Sequence, residues 1–138
     1  MSANVDLVRS IHAAWVRGDF SSVDWADPEI EYVWIGGPSP GRDTGVAGMI
    51  ERFRDDWLRT WADFRVEPGE YRELDGGRVL VLTNFSGRGK MSGLEIGQIR
   101  QELAMLFCIR DGQVTRFINY WERDRAFADL GLTPDSGT

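Results

Sequence analysis

The chain is poor in the residues that carry most covalent and metal chemistry. It has one cysteine, Cys108, so no internal disulfide can form and a reducing compartment is expected. It has one histidine, His12, and no carboxylates clustered at ligand spacing, which leaves no basis for a metal site. Its one lysine, Lys90, sits in a Gly-rich segment expected to be exposed, so Schiff-base chemistry would have only that candidate. Lys and Arg form no cluster, and with a net charge of −6 this argues against nucleic acid as a partner. No apolar run approaches membrane-spanning length, and no N-terminal leader pattern appears. A cytoplasmic protein without membrane contact is the expectation. Repeats, low-complexity tracts and linkers are absent too, so the 138 residues read as one domain, 1–138, with a core over about 5–132.

Aromatic residues, by contrast, are plentiful: six Trp, seven Phe and three Tyr. Such side chains either fill a core or line an apolar cavity. The richest stretch is QELAMLFCIRDGQVTRFINYWERDRAFADLGL, Gln101 to Leu132. Two apolar runs flank Asp111-Gly112, a strong hairpin signal, and the second runs into a helical pattern that stops at Gly131.

Earlier in the chain, Asn4 to Arg17 reads as a helix, with Asn4 as cap, Val8, Ile11 and Trp15 at helical spacing, and Gly18 as stop. Phe20 to Trp25 suggests a short helical turn, and Asp27-Pro28 a break. Glu29 to Ile35 alternates as a strand, with Tyr32 and Trp34 on one face and Glu31, Val33 and Ile35 on the other. GGPSPGRDTG reads as a loop, from which Asp43 or Thr44 would cap the next helix. That helix is expected to be the longest, Val46 to Phe64. Val46, Ile50, Phe53, Trp57, Trp61 and Phe64 recur at a 3.6-residue period along it. Strands are expected at Phe64 to Leu74, Arg78 to Ser86, Ile99 to Arg110 and Gln113 to Trp121, and a closing helix at Arg123 to Leu130. GRGKMSGLEIG between them reads as bulged or edge-like.

Helices followed by a strand meander mean α+β, a curved, mostly antiparallel sheet wrapped around the long helix. The strands are apolar on both faces. One face would cover the helices, and a partner subunit is the simplest cover for the other, predicting a homodimer through the outer sheet face.

AAWVRGDF, PEIEYVW with GGPSPGRDTGVAGMIERF, GRGKMSGLEI and IRDGQVTRFINYWERDRAFADLGL, in that order and spacing, resemble the SnoaL-like branch of the nuclear transport factor 2 superfamily. The resemblance covers Val5 to Leu132. It implies a cone-shaped half-barrel with a deep pocket between sheet and helices, and a dimer. It is specific for fold and not for chemistry, because the superfamily holds isomerases, cyclases, dehydratases, hydrolases and non-catalytic binders. In an ungapped comparison the family isomerase's tyrosine falls near Ile11, its base near Trp34 or Ile35, and its second acid near Ala104 or Met105. None of these residues supports that mechanism.

Three residues are the catalytic candidates. Glu102 shares a strand face with Ala104, Leu106 and Cys108, where burial would raise its pKa; a surface ion pair with Arg100 is the competing reading. Asn119 lies between Phe117 and Trp121 and would orient a carbonyl or a water, or simply bond within the sheet. His12 adjoins the apolar stripe of the first helix, as a general base or as a half-buried structural residue. Tyr32, Trp34, Trp57, Trp61, Asn84 and Trp121 are the ligand-binding candidates. No phosphate-loop pattern occurs, and no cofactor is expected. The expectation is a pocket for a small, largely apolar organic ligand, serving acid–base isomerase, cyclase or hydrolase chemistry. The alternative is a non-catalytic binding or interaction module.

Overall fold

A computed structural model describes residues 3–17, 19, 23–37, 40–54, 61–89 and 98–132. The elements in chain order are α1 (Ala3–Val16), β1 (Ala26–Ile35), β2 (Gly41–Thr44), α2 (Val46–Phe53), β3 (Trp61–Leu74), β4 (Arg78–Gly89), β5 (Gln98–Arg110), β6 (Gln113–Tyr120) and α3 (Arg123–Leu130). The strands form one curved, unclosed sheet in the order β2-β1-β6-β5-β4-β3. Every pairing is antiparallel except β1 with β6.

The β5–β6 hairpin turns where the sequence says it should. Asp111 and Gly112 both take positive φ, 53° and 77°, the backbone that a two-residue turn between right-twisted strands demands. Strand alternation then sorts the side chains into two apolar layers. The inner layer joins Val79, Val81 and Phe85 of β4 to Leu103, Met105 and Phe107 of β5 and to Val8 and Ile11 of α1. The outer layer holds Leu80, Leu82, Ala104, Leu106, Ile118 and Tyr120.

The outer layer also finds cover of its own. α3 folds back across β5 and β6, and its Ala126 and Phe127 are buried against the outer layer, with Leu130 and Leu132 beside them. The turn that ends α3 secures this: Gly131 is left-handed and Leu132 N donates to Phe127 O at 2.9 Å. These residues are thus buried within one chain, at the face through which a homodimer is expected.

Local expectations are corrected. Val46 to Phe64 is not one long helix: α2 is described only over Val46–Phe53, and Trp61 onward is strand, paired Trp61↔Gly89 and Ala62↔Arg88. The helical spacing of Trp61 and Phe64 was overridden because β4 presents a whole edge of hydrogen-bonding groups that β3 satisfies. Asp27-Pro28 does not break β1; it lies where the β1–β6 register shifts, between Ala26 and Glu31, the irregular position at which a strand tolerates proline. Asn4 sits inside α1 rather than capping it. β2 forms within the expected loop, and Gly45, not Asp43 or Thr44, precedes α2, while Asp43 pairs with Arg52 instead. Gly18, most of the supposed turn at Phe20 to Trp25, and the centre of GRGKMSGLEIG lie outside the described residues.

Candidate functional site

The inner face of the sheet and the two helices beneath it leave a cavity of about 90 Å³. Its position follows from the strand parity. β1 contributes Tyr32 and Trp34, and β6 contributes Phe117 and Asn119, two residues apart on the same side. Because β1 and β6 run parallel, Tyr32 is level with Phe117 and Trp34 with Asn119. Trp15 and Trp25 close one end, Met49, Ile50 and Phe53 of α2 another, and Leu103 and Met105 belong to the wall from β5.

The aromatic wall is tightly knit. Phe117 stacks on Phe107 at 4.5 Å between ring centroids and lies 5.8 Å from Trp15 and 5.5 Å from Tyr32. Polar groups are sparse. Trp34 Nε1 donates to Tyr32 Oη at 2.8 Å. Asn119, 1% exposed, donates from Nδ2 to Val33 O at 3.3 Å. Among the described lining residues there is no carboxylate, histidine, lysine, arginine or cysteine.

The three catalytic candidates are not brought together. Asn119 alone lines the cavity. Glu102 points from the outer face, 72% exposed at its side chain, and pairs with Arg123 at 2.9 Å. The surface ion pair is therefore what forms, with Arg123 as the partner instead of Arg100. The apolar residues that share its strand face belong to the outer layer, on the side of the sheet away from the cavity.

His12 is more deeply buried than a half-exposed boundary residue. It is fully inside the protein, ringed by Trp15 at 4.9 Å, Phe107 at 5.7 Å and Tyr71 at 6.0 Å. Its Nδ1 donates to Val8 O at 3.2 Å, while Nε2 is buried with no hydrogen-bond partner among the described residues. Loss of solvation pushes its pKa down from 6.5 to about 4, opposed by the bond to Val8. It is not among the described residues that line the cavity, although its neighbour Trp15 is.

Of the ligand-binding candidates, Tyr32 and Trp34 line the cavity. Trp121 stands one ring further out, 6.3 Å from Trp34 and 6.2 Å from Phe85, against Gly37. Gly37 is left-handed, and a Cβ there would come within 2.9 Å of the Trp121 ring, so the β1 exit and this tryptophan fit only with glycine. Asn84 is exposed on the outer face, 3.4 Å from Arg123 Nη2. Trp57 lies outside the described residues, and Trp61 opens β3. The sequence reading missed Trp25, Met49, Phe85, Leu103, Met105 and Phe117 as lining residues. Extending the parity of Phe117 and Asn119 across the hairpin to Leu103 and Met105 was the available signal.

No protein-family model matches the chain, and no curated protein matches it in sequence. Solved structures do match its fold. An NTF2-like protein of unknown function from Burkholderia pseudomallei superposes with a TM-score of 0.76 at 20% identity, over 93% of this chain and 97% of that one. TerC co-crystallised with polyporic acid matches with a TM-score of 0.72 at 22% identity, over 94% and 98%. A protein from Jannaschia sp. CCS1, assigned as a SnoaL-like polyketide cyclase, matches with a TM-score of 0.70 at 16% identity, over 96% and 94%. The nearly complete coverage on both sides matches the whole architecture rather than a shared motif.

Proposed function

Starting from the NTF2-like fold that the chain adopts, we propose that it is a small-molecule-binding protein whose cavity holds a compact, neutral, largely apolar ligand without acid–base catalysis. The observation that carries this reading is the lining itself: aromatic and aliphatic walls, one amide, and no titratable side chain among the described residues except the Tyr32 phenol. A general acid or base has to lie within hydrogen-bond reach of the atom it serves. Glu102 is across the sheet and His12 is sealed in its own aromatic cage. The absence of a charge among the described lining residues equally disfavours phosphate or carboxylate ligands, whose burial needs a paired cation.

Size narrows the ligand further. Drug-sized ligands occupy roughly 300–1,000 Å³. A cavity of about 90 Å³ is scaled to a single ring, not to a fused polycycle. The co-crystallisation of one structural neighbour, TerC, with polyporic acid supports a small-molecule role for this architecture.

Trp15, Trp25 and Trp34 in the wall make the test direct. Titration with toluene or phenol is expected to change tryptophan fluorescence saturably, with amide shifts in a nitrogen–proton spectrum concentrated at Phe117 and Asn119. No saturable change up to millimolar ligand would overturn the reading.

A further inference from the structure

The amide of Asn119 is the one polar side chain of the cavity whose orientation is fixed by chemistry. A backbone carbonyl only accepts, so the atom facing Val33 O has to be Nδ2. The assignment of nitrogen and oxygen, usually ambiguous for an amide, is therefore settled. With Nδ2 engaged by Val33 O, Oδ1 is the atom of this side chain left to accept from a ligand, and the side chain, 1% exposed, lines the cavity. An amide oxygen set in an otherwise apolar wall favours a ligand that brings a donor to it over one that does not.

The second polar feature of the wall points the same way. The Trp34 indole N–H is directed to Tyr32 Oη, so its donor is already engaged within the protein. The aromatic rings could instead suggest a cage for an organic cation. Such a cation sits over ring faces, within about 6 Å of each centroid. Here Phe117 packs against Trp15 at 5.8 Å and against Tyr32 at 5.5 Å, so these rings are engaged with one another. Among the described lining residues there is no carboxylate to offset a buried positive charge.

Resting on the cavity-binding reading above, we infer that the ligand is a neutral single ring bearing a hydroxyl or N–H group, and that Asn119 Oδ1 accepts that group's hydrogen and sets the ligand's register. Asn119 is level with Trp34 across the β1–β6 pair, so the donor group of the ligand lies at the Trp34 level of the cavity and its ring toward Phe117 and Trp15. Selection among ligands of equal size then depends on a single hydrogen bond.

Phenol and toluene test this, because they differ by a hydroxyl in place of a methyl. The affinity ratio of phenol to toluene, measured by tryptophan fluorescence, is expected to fall about fivefold or more in Asn119→Leu, the size of one net hydrogen bond. The Asn119 side-chain amide resonances of the unmodified protein are expected to shift with phenol and not with toluene, which keeps the test open should Asn119→Leu fold poorly. An unchanged ratio, or equal amide shifts with both ligands, would overturn the inference while leaving the cavity reading intact. Tetramethylammonium binding more tightly than phenol would overturn it as well. Binding of neither phenol nor toluene would remove the cavity reading itself.

Discussion

Arg123 Nη1 stands 2.9 Å from Glu102 Oε2, and the carboxylate is only one of the arginine's partners. Arg123 Nε donates to Leu103 O at 3.1 Å and Nη2 to Thr83 O at 3.2 Å, so one guanidinium at the start of α3 holds the backbones of β5 and β4. Only a planar fork with several donors serves carbonyls on two strands at once. Arg123→Ala is expected to cost about 1–3 kcal/mol in urea unfolding and Arg123→Lys most of that. Glu102→Gln, at an exposed pair, should cost under about 1 kcal/mol and leave ligand affinity unchanged. A large loss of affinity in Glu102→Gln would restore the carboxylate as a site residue.

His12 makes stability depend on pH in a defined direction. Its folded pKa, about 4, lies below the ordinary 6.5, so the folded state disfavours the proton. The stabilisation is fully present above pH 6.5 and is lost as pH falls from there toward 4, on the order of 3 kcal/mol. Arg9, over the Tyr71 ring that faces His12, adds a positive charge that does not favour protonation. His12→Phe should flatten that part of the profile. Parallel profiles for the two proteins between pH 6.5 and 4 would show that His12 is not responsible.

Phe127 is 7% exposed because it lies on the outer layer. Phe127→Ala should destabilise by about 3 kcal/mol or more and uncover Leu80, Leu82 and Leu106. Sedimentation at micromolar concentration then reports on self-association. The variant is expected to associate more strongly than the unmodified chain. Identical sedimentation of the two would mean that α3 is not what shields this face.

Tyr32→Phe removes the acceptor of the Trp34 indole at 2.8 Å. The expected cost is about 1 kcal/mol, with a shifted tryptophan emission, because the indole N–H loses this partner. Toluene affinity should change little, since the aromatic wall is kept. Loss of toluene binding would indicate that the phenol oxygen, not the ring, shapes the cavity.

The fold was largely legible where local chemistry and pattern agreed. Asp111-Gly112 and Gly131 each need a left-handed backbone, and both ended their elements at the expected places. The α2–β3 region misled because Trp57, Trp61 and Phe64 carry a helical period, whereas strand pairing with β4 decides the outcome and leaves no local trace. For the site, parity placed Asn119 with Phe117 correctly. It could not say which sheet face turns inward, and that one bit of information moved Glu102 and Asn84 to the outside. The burial of His12 depended on Phe107 and Tyr71, residues distant in sequence that no helical stripe reveals.

The bond from Asn119 to Val33 spans 86 positions of sequence, across the sheet's one parallel pair. Contacts of such long separation form late, after the loop between them has been closed at an entropic cost. During synthesis the β1–β6 pair, and the wall that Tyr32 and Trp34 share with Phe117 and Asn119, must therefore wait until β6 has left the ribosome. No ligand can assist the nascent chain before then, and β1, with its aromatic residues, is the segment that a chaperone would be expected to recognise.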